Sequence, residues 1–249
     1  MSDRQLQVIG VVGLPEVRPG DDLAALIAQR LELEDGDIVI VAQKVVSKAE
    51  GRIRNLAEVE PGERARRYAD QLPADARIVQ VILDESVRVV RDERVLIVET
   101  RHGYVCANAG VDHSNVPGLE AVTLLPEDPD ASAERLRESL QRLSGREVGV
   151  IVADTFGRAW RMGIANVALG VAGTPALLDY RGRPDDFGLE LTATVVAVAD
   201  ELACAAELAM GKTGRVPAAV VRGYRAPAAA APIAGGRALI RPAELDLFR

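Results

Sequence analysis

With 249 residues, 48% of them apolar, the chain can enclose a sizeable core as one large α/β domain or two small ones, which excludes disorder as its main state. Thirty Lys and Arg against 37 Asp and Glu give a formal charge of -7, so no overall basic field exists to gather nucleic acid or anionic lipid. Cys106 and Cys204 are far apart and lack the close pairing of zinc sites or disulfide-rich secreted domains, so both are expected to be ordinary core thiols.

Residues 1–14 carry Asp3 and Arg4 and then an alternating apolar stretch, without the basic end, apolar run and cleavage site of a leader, so a cytoplasmic location is expected. A first strand is predicted over 6–12. Asp21 or Asp22 can cap a helix whose Leu23, Leu26, Ile27 and Leu31 share a face, and Asp35-Gly36 closes that unit with a turn. The β-branched run 37–42 predicts a buried strand, followed by a basic loop over 43–52. Charged surface helices are predicted over 61–70 and 75–91, and strands over 95–100, 104–108 and 121–125. Residues 126–130 read as a rigid turn, with Asp130 capping a helix that carries Leu136, Leu140 and Leu143.

Residues 148–153 are the most strand-like of all. A strand over 166–171, a charged loop over 179–188, a long buried helix over 191–210 and a strand over 216–222 follow. Asp200, Glu201 and Glu207 interrupt the apolar helix, so no membrane span is expected. Ala, Pro and Gly then dominate 225–236, and 243–249 has no pattern, which together predict a loop-like, partly mobile tail over 225–249.

Three segments place hard oxygen or cationic groups where an apolar strand is predicted to end, the common place for ligands in α/β sheets. In Asn108-Ala109-Gly110-Val111-Asp112-His113-Ser114-Asn115, Gly110 permits a bend that can aim Asp112 and Asn115 at one spot. The bland alternative is an Asp and an Asn that only satisfy a turn. His113 is assigned no role. In Asp154-Thr155-Phe156-Gly157-Arg158 a carboxylate and a hydroxyl emerge together. Magnesium and manganese take such oxygens and bridge to phosphate, so two aspartates from two loops could cradle a metal; the other reading is a helix cap by Asp154. Arg158 and Arg161 would share a face if the piece were helical. In Gln43-Lys44-Val45-Val46-Ser47-Lys48 the lysines could neutralise a triphosphate or form a solvated loop. Gly211-Lys212-Thr213 resembles the end of a P-loop, but Ala206 stands where that motif needs glycine and the piece follows a helix.

Taken in order and spacing, several of these pieces resemble the coenzyme F420-0:γ-glutamyl ligase family, called CofE in archaea and found as the amino-terminal half of FbiB in actinobacteria. They are Val11-Val12-Gly13-Leu14-Pro15, Gly20-Asp21-Asp22-Leu23, Val46-Ser47-Lys48-Ala49-Glu50-Gly51-Arg52, Asn108-Ala109-Gly110-Val111-Asp112, Asp154-Thr155-Phe156-Gly157-Arg158, Val198-Ala199-Asp200-Glu201 and Pro217-Ala218-Ala219-Val220-Val221-Arg222-Gly223. The resemblance implies an unusual mixed α/β fold with mixed sheets, neither P-loop nor Rossmann, formed by 1–249 as one unit or as two intertwined subdomains. It also implies a homodimeric ligase that uses GTP to join L-glutamate to F420-0 in coenzyme F420 biosynthesis. The two-domain relatives continue into a nitroreductase-like domain, whose activity is expected to be absent here.

Carried over position by position, the resemblance makes Asp112 and Asp154 ligands of one Mg2+ or Mn2+ and Thr155 a ligand of a second. It makes Asp112, Asp154 and Lys48 catalytic. The GTP contacts become Leu14, Pro15, Glu16, Val17, Gln43, Lys44, Lys48, Asn115, Met210, Gly211, Lys212, Thr213 and Gly214. Potassium is an accessory cation in some members. Some also carry an acidic residue where this chain has Lys212; a charged lysine cannot ligate magnesium, so one firm metal and one conditional metal are expected.

Overall fold

The computed structural model describes residues 5–112, 120–227 and 230–246. The first half contains β1 (Gln7–Gly10), α1 (Leu23–Ala28), β2 (Ile38–Ala42), α2 (Gln43–Ala49), β3 (Ile53–Asn55), α3 (Glu63–Gln71), α4 (Ala76–Asp84), β4 (Ser86–Arg91), β5 (Ile97–Thr100), β6 (Val105–Ala107) and β7 (Ala121–Thr123). The second half contains α5 (Pro129–Ser144), β8 (Gly149–Arg158), β9 (Arg161–Ala172), β10 (Leu177–Asp179), β11 (Val195–Val196), α6 (Val198–Met210), β12 (Ala218–Arg222) and β13 (Ala231–Ile233).

The main sheet has the order β1-β12-β2-β8-β9. Only β2 and β8 run parallel; the other pairs are antiparallel, so the sheet is mixed and the architecture is neither Rossmann nor P-loop. Successive side chains of a strand point to opposite faces. Val39 and Val41 accordingly meet Leu23 and Ile27 of α1 and Leu136 and Leu140 of α5, while Ile38 and Ile40 meet Leu202, Ala203 and Ala206 of α6. Burial on both faces explains why 38–41 and 150–152 are continuous β-branched runs instead of alternating ones. At the strand ends, Arg222 of β12 holds the buried Asp37 carboxylate through two hydrogen bonds of 2.9 and 2.8 Å.

A second layer of small sheets flanks this core. The order β4-β5-β6 packs on α3 and α4 through Tyr68, Val79, Ile82, Leu96 and Val98, and the β3-β7 pair closes over Leu56, Val59, Val122 and Leu124.

Several elements differ from their predicted form. The expected helix over 75–91 is α4 followed at once by β4. Val87, Val89 and Val90 favour an extended chain, and the Ser86 hydroxyl donates back to the Ile82 carbonyl, closing the helix there. The helix expected from 191 begins at Val198, because the β-branched residues before it form β11 against β10. Asp22 does cap α1, accepting from the Ala25 N–H at 3.0 Å. In α5 the cap is Asp128 and not Asp130: Pro129 takes the first helical position, which suits a residue without an N–H, and Asp128 accepts from the Ala131 N–H at 3.1 Å. Asp130 instead accepts from the Val171 N–H at 2.8 Å and the Gly236 N–H at 2.6 Å. In the 225–249 stretch, β13 pairs with β10. Among the described residues no helix is long and apolar enough to cross a membrane.

Candidate active site

Parallel pairing sets the site. Ala42 of β2 lies beside Ala153 of β8, so the residues that follow, Gln43 and Asp154, stand side by side where the parallel pairing of the two strands ends. After Ala42 the chain does not form the predicted basic loop but the helix α2. Nothing in 43–49 breaks a helix, Val46 packs into the core, and Gly51 in the left-handed region (φ 71°) lets the chain turn away afterwards. Lys44 and Lys48 therefore stand one turn apart on one face of α2.

β8 also runs further than predicted. Its parallel pairing with β2 stops at Ala153, but its antiparallel pairing with β9 continues to Arg158, so Asp154 and Thr155 lie within a strand. The helix-cap reading of Asp154 fails for that reason. So does a shared helical face for Arg158 and Arg161, which pair across a hairpin whose Trp160 has φ 57°.

The third segment arrives through a tight left-handed turn at Asn108, Ala109 and Gly110 (φ 53°, 55° and 68°). A Cβ at Gly110 would lie 2.6 Å from the Leu125 side chain, so glycine is needed there for space as well as for its φ. Asp112 then exchanges backbone hydrogen bonds of 3.1 and 2.8 Å with Thr123, which fixes its carboxylate toward α2. Its Oδ2 lies 2.5 Å from Lys44 Nζ.

Asp154 sits in the middle of this arrangement. Burial pushes its carboxyl up to about 6, and the charge of Asp112 adds to that; the Thr155 backbone N–H, Lys44 and Lys212 act in the opposite direction. Burial, with the charge of Asp154 adding to it, pushes the thiol of Cys106 up to about 12, so that cysteine is protonated and inert. Thr155 Oγ1 donates to Asn166 Oδ1 on β9 at 2.8 Å and accepts from Lys212 Nζ at 2.6 Å. Lys212 also pairs with Glu207 of α6 at 2.7 Å. One turn along α2, Lys48 is only 3% exposed and its Nζ meets Glu16 Oε1 at 2.5 Å. Beside it the Ser47 hydroxyl donates to Gln43 Oε1 at 2.9 Å.

The fold thus brings Lys44 to Asp112 and Lys212 to Thr155, near enough to Asp154 for the charges of Asp112, Lys44 and Lys212 to act on its carboxyl, with Lys48 and Glu16 one turn further along α2. Val17 is buried and Leu14 packs against the core on the same face of the sheet, while Pro15 and Glu16 are exposed. Met210 is buried at the end of α6, and Gly211, Lys212, Thr213 and Gly214 form an exposed turn after it, as expected of a piece that follows a helix. Asn115 and His113 lie outside the described residues. Arg181 is held by Asp179 through bonds of 2.9 and 2.6 Å. Two participants escaped the sequence reading, Asn166 and Glu207. The first is legible only once the hairpin register pairs it with Thr155, and the second only once α6 is known to end beside β8. Among the described residues no group of three or more His, Cys, Asp or Glu gathers as a metal cluster.

A family model described as F420-0:Gamma-glutamyl ligase matches residues 11–223. A protein of Methanothermobacter thermautotrophicus named coenzyme F420:L-glutamate ligase is 48% identical over 253 positions, covering 98% of this chain and 99% of its own. Identically named proteins of Archaeoglobus fulgidus (48% identical, 88% of each chain) and Methanocaldococcus jannaschii (42% identical, 99% and 98%) are similar over comparable spans. With matches of this extent, the chain belongs to the F420-0:γ-glutamyl ligase family.

Proposed function

We propose that the protein is a GTP-dependent ligase that joins L-glutamate to coenzyme F420-0 through an acyl phosphate. The observation that carries this reading is the convergence of Lys44, Lys48 and Lys212 with Asp112, Asp154 and Thr155 just beyond the point where the parallel pairing of β2 and β8 ends. The family description, which names F420-0, and the relatives' names, which give coenzyme F420 and L-glutamate, support the two organic substrates.

The donor set fits a hard divalent ion. Two carboxylates and a hydroxyl are oxygen ligands of the kind Mg2+ and Mn2+ take, and the carboxyl of Asp154 is raised because the cations already near it do not offset its burial. Asp112 and Asp154 would hold this ion, which when bound screens charge in a transferring phosphoryl group. The chain's own residues do the rest. Lys44 and Lys48 on α2 bind phosphate oxygens of GTP, with the Glu16 partner of Lys48 giving way to the nucleotide. The terminal carboxylate of F420-0 attacks the γ-phosphorus, forming an O–P bond as the bond to the GDP oxygen breaks. The neutral α-amine of glutamate then attacks the acyl carbon, phosphate leaves, and the amide nitrogen loses its proton. Further rounds would use the γ-carboxylate of the glutamate just added.

Incubating the protein with F420-0, glutamate, Mg2+ or Mn2+ and either GTP or ATP, with and without potassium, tests this by mass spectrometry. A glutamylated product with GTP, and phosphate release that needs both organic substrates, are expected. Product only with ATP or only from another carboxylate would sink the stated specificity, and GTP held without turnover would make the protein a regulator.

We also propose that the chain works as a homodimer through the β8-β9 hairpin. Met162 and Ile164 alternate along β9, 94% and 62% exposed, and with Trp160 at 77% they form an apolar strip that a lone chain would leave in water. Light scattering should give twice the chain mass for the native protein and the single mass for Met162→Asp/Ile164→Asp. A native monomer would refute the interface.

A further inference from the structure

We propose that Lys212 is a built-in second cation: its ammonium stands on the Thr155 hydroxyl in place of a second divalent ion, so the loaded site takes one divalent ion per chain. The inference rests on the nucleotide reading above and goes beyond it in assigning the charge opposite the phosphates to a side chain.

The hydrogen bonds around Thr155 set its polarity. Its hydroxyl proton is given to Asn166 Oδ1 at 2.8 Å, and Asn166 is only 4% exposed and directly opposite in the β8-β9 register. With its proton committed to Asn166, the hydroxyl offers only lone pairs to any other group. That makes it a cation ligand, and the cation on it is Lys212 Nζ at 2.6 Å. Glu207 at 2.7 Å also holds the ammonium, and the Gly211 N–H donates to the Glu207 carbonyl at 2.9 Å, so the first residue of the loop that carries Lys212 is tied to the helical residue that anchors its side chain.

Charge counting points the same way. Asp112, Asp154 and Glu207 contribute -3 and Lys44 and Lys212 contribute +2, a balance of -1 that one divalent ion turns to +1 against the triphosphate. A second divalent ion on Thr155 would share one hydroxyl oxygen with an ammonium, and like charges at that separation repel. The Lys212 side chain is half exposed, where an ion pair adds little to stability, so its geometry is better explained by the ligand it faces than by the fold.

The experiment counts Mn2+ bound to the intact protein in the presence of a non-hydrolysable GTP analogue, by calorimetry and by the spin-resonance signal of free Mn2+. One ion per chain is expected for the native protein and two for Lys212→Gln. Adding Thr155→Val to Lys212→Gln should return the count to one, and matched thermal melts confirm that all three fold. Two ions on the native protein, or one on both native and Lys212→Gln, overturn the inference while leaving the ligase reading intact. No Mn2+-dependent binding of the analogue at all overturns both.

Discussion

Asp154→Asn is expected to cut glutamate-dependent phosphate release by more than about a hundredfold, since even groups one shell out from a metal typically cost roughly that much. The same substitution should raise the melting temperature of the metal-free protein at pH 8. The folded protein holds the Asp154 carboxyl at about 6 against an ordinary 3.8. Between those values the folded chain keeps a proton that the unfolded chain has lost, so stability is fullest below about pH 4, falls as pH rises, and levels off above about pH 6. The loss corresponds to roughly 3 kcal/mol at most. Asparagine carries no charge to bury and escapes it. Melts in chelator should therefore show little difference between native and variant at pH 4 and a widening advantage for the variant up to pH 8. Equal melting temperatures at pH 8 would refute the account. A divalent ion needs the ionised form, so its affinity should weaken as pH drops through about 6.

Gly170→Ala should be the most destabilising small substitution in the main sheet. A Cβ there would lie 1.9 Å from the Pro129 carbonyl oxygen and 2.2 Å from its carbon. Both are backbone atoms that cannot rotate away. They belong to the first turn of α5, which the Asp128 cap and the bonds from Val171 and Gly236 to Asp130 hold against β9. Relief requires moving the helix, and overpacking of this kind costs about 3 kcal/mol or more. Gly157→Ala is the control: a Cβ there meets nothing within 4 Å, and a change within about 0.5 kcal/mol is expected. Denaturant midpoints measure both, and similar values for the two variants would show that the close approach is not rigid.

Local chemistry was readable in the sequence where it needed no partner. The buried runs of β2 and β8, the cap at Asp22 and the bend at Gly110 all follow from neighbouring residues. What failed was set at a distance. Residues 43–49 look like a polar loop, yet the core covers Val46 and Glu16 receives Lys48, so a helix forms where composition argued against one. Residues 75–91 look like one helix because the charge pattern does not reveal that β5 offers a partner for 86–91. β8 outruns its apolar segment because β9 keeps pairing with it after β2 has stopped. The site was legible as three segments. Its inner connections were not, because Thr155 to Asn166 depends on strand register and Lys212 to Thr155 on where a helix ends.

Mounting Lys44 and Lys48 on α2 has a consequence for how a polyanion is met. Four residues of helix advance about 6 Å along the axis, and that interval cannot stretch or collapse as it would on a wandering strap of chain. The ordering entropy of the two anchor points is spent when the protein folds, not when the anion docks. In the proposed nucleotide complex, with Lys48 buried at its base, the two side chains would start from a fixed separation, favouring anions that carry several charges over a single charge of equal strength.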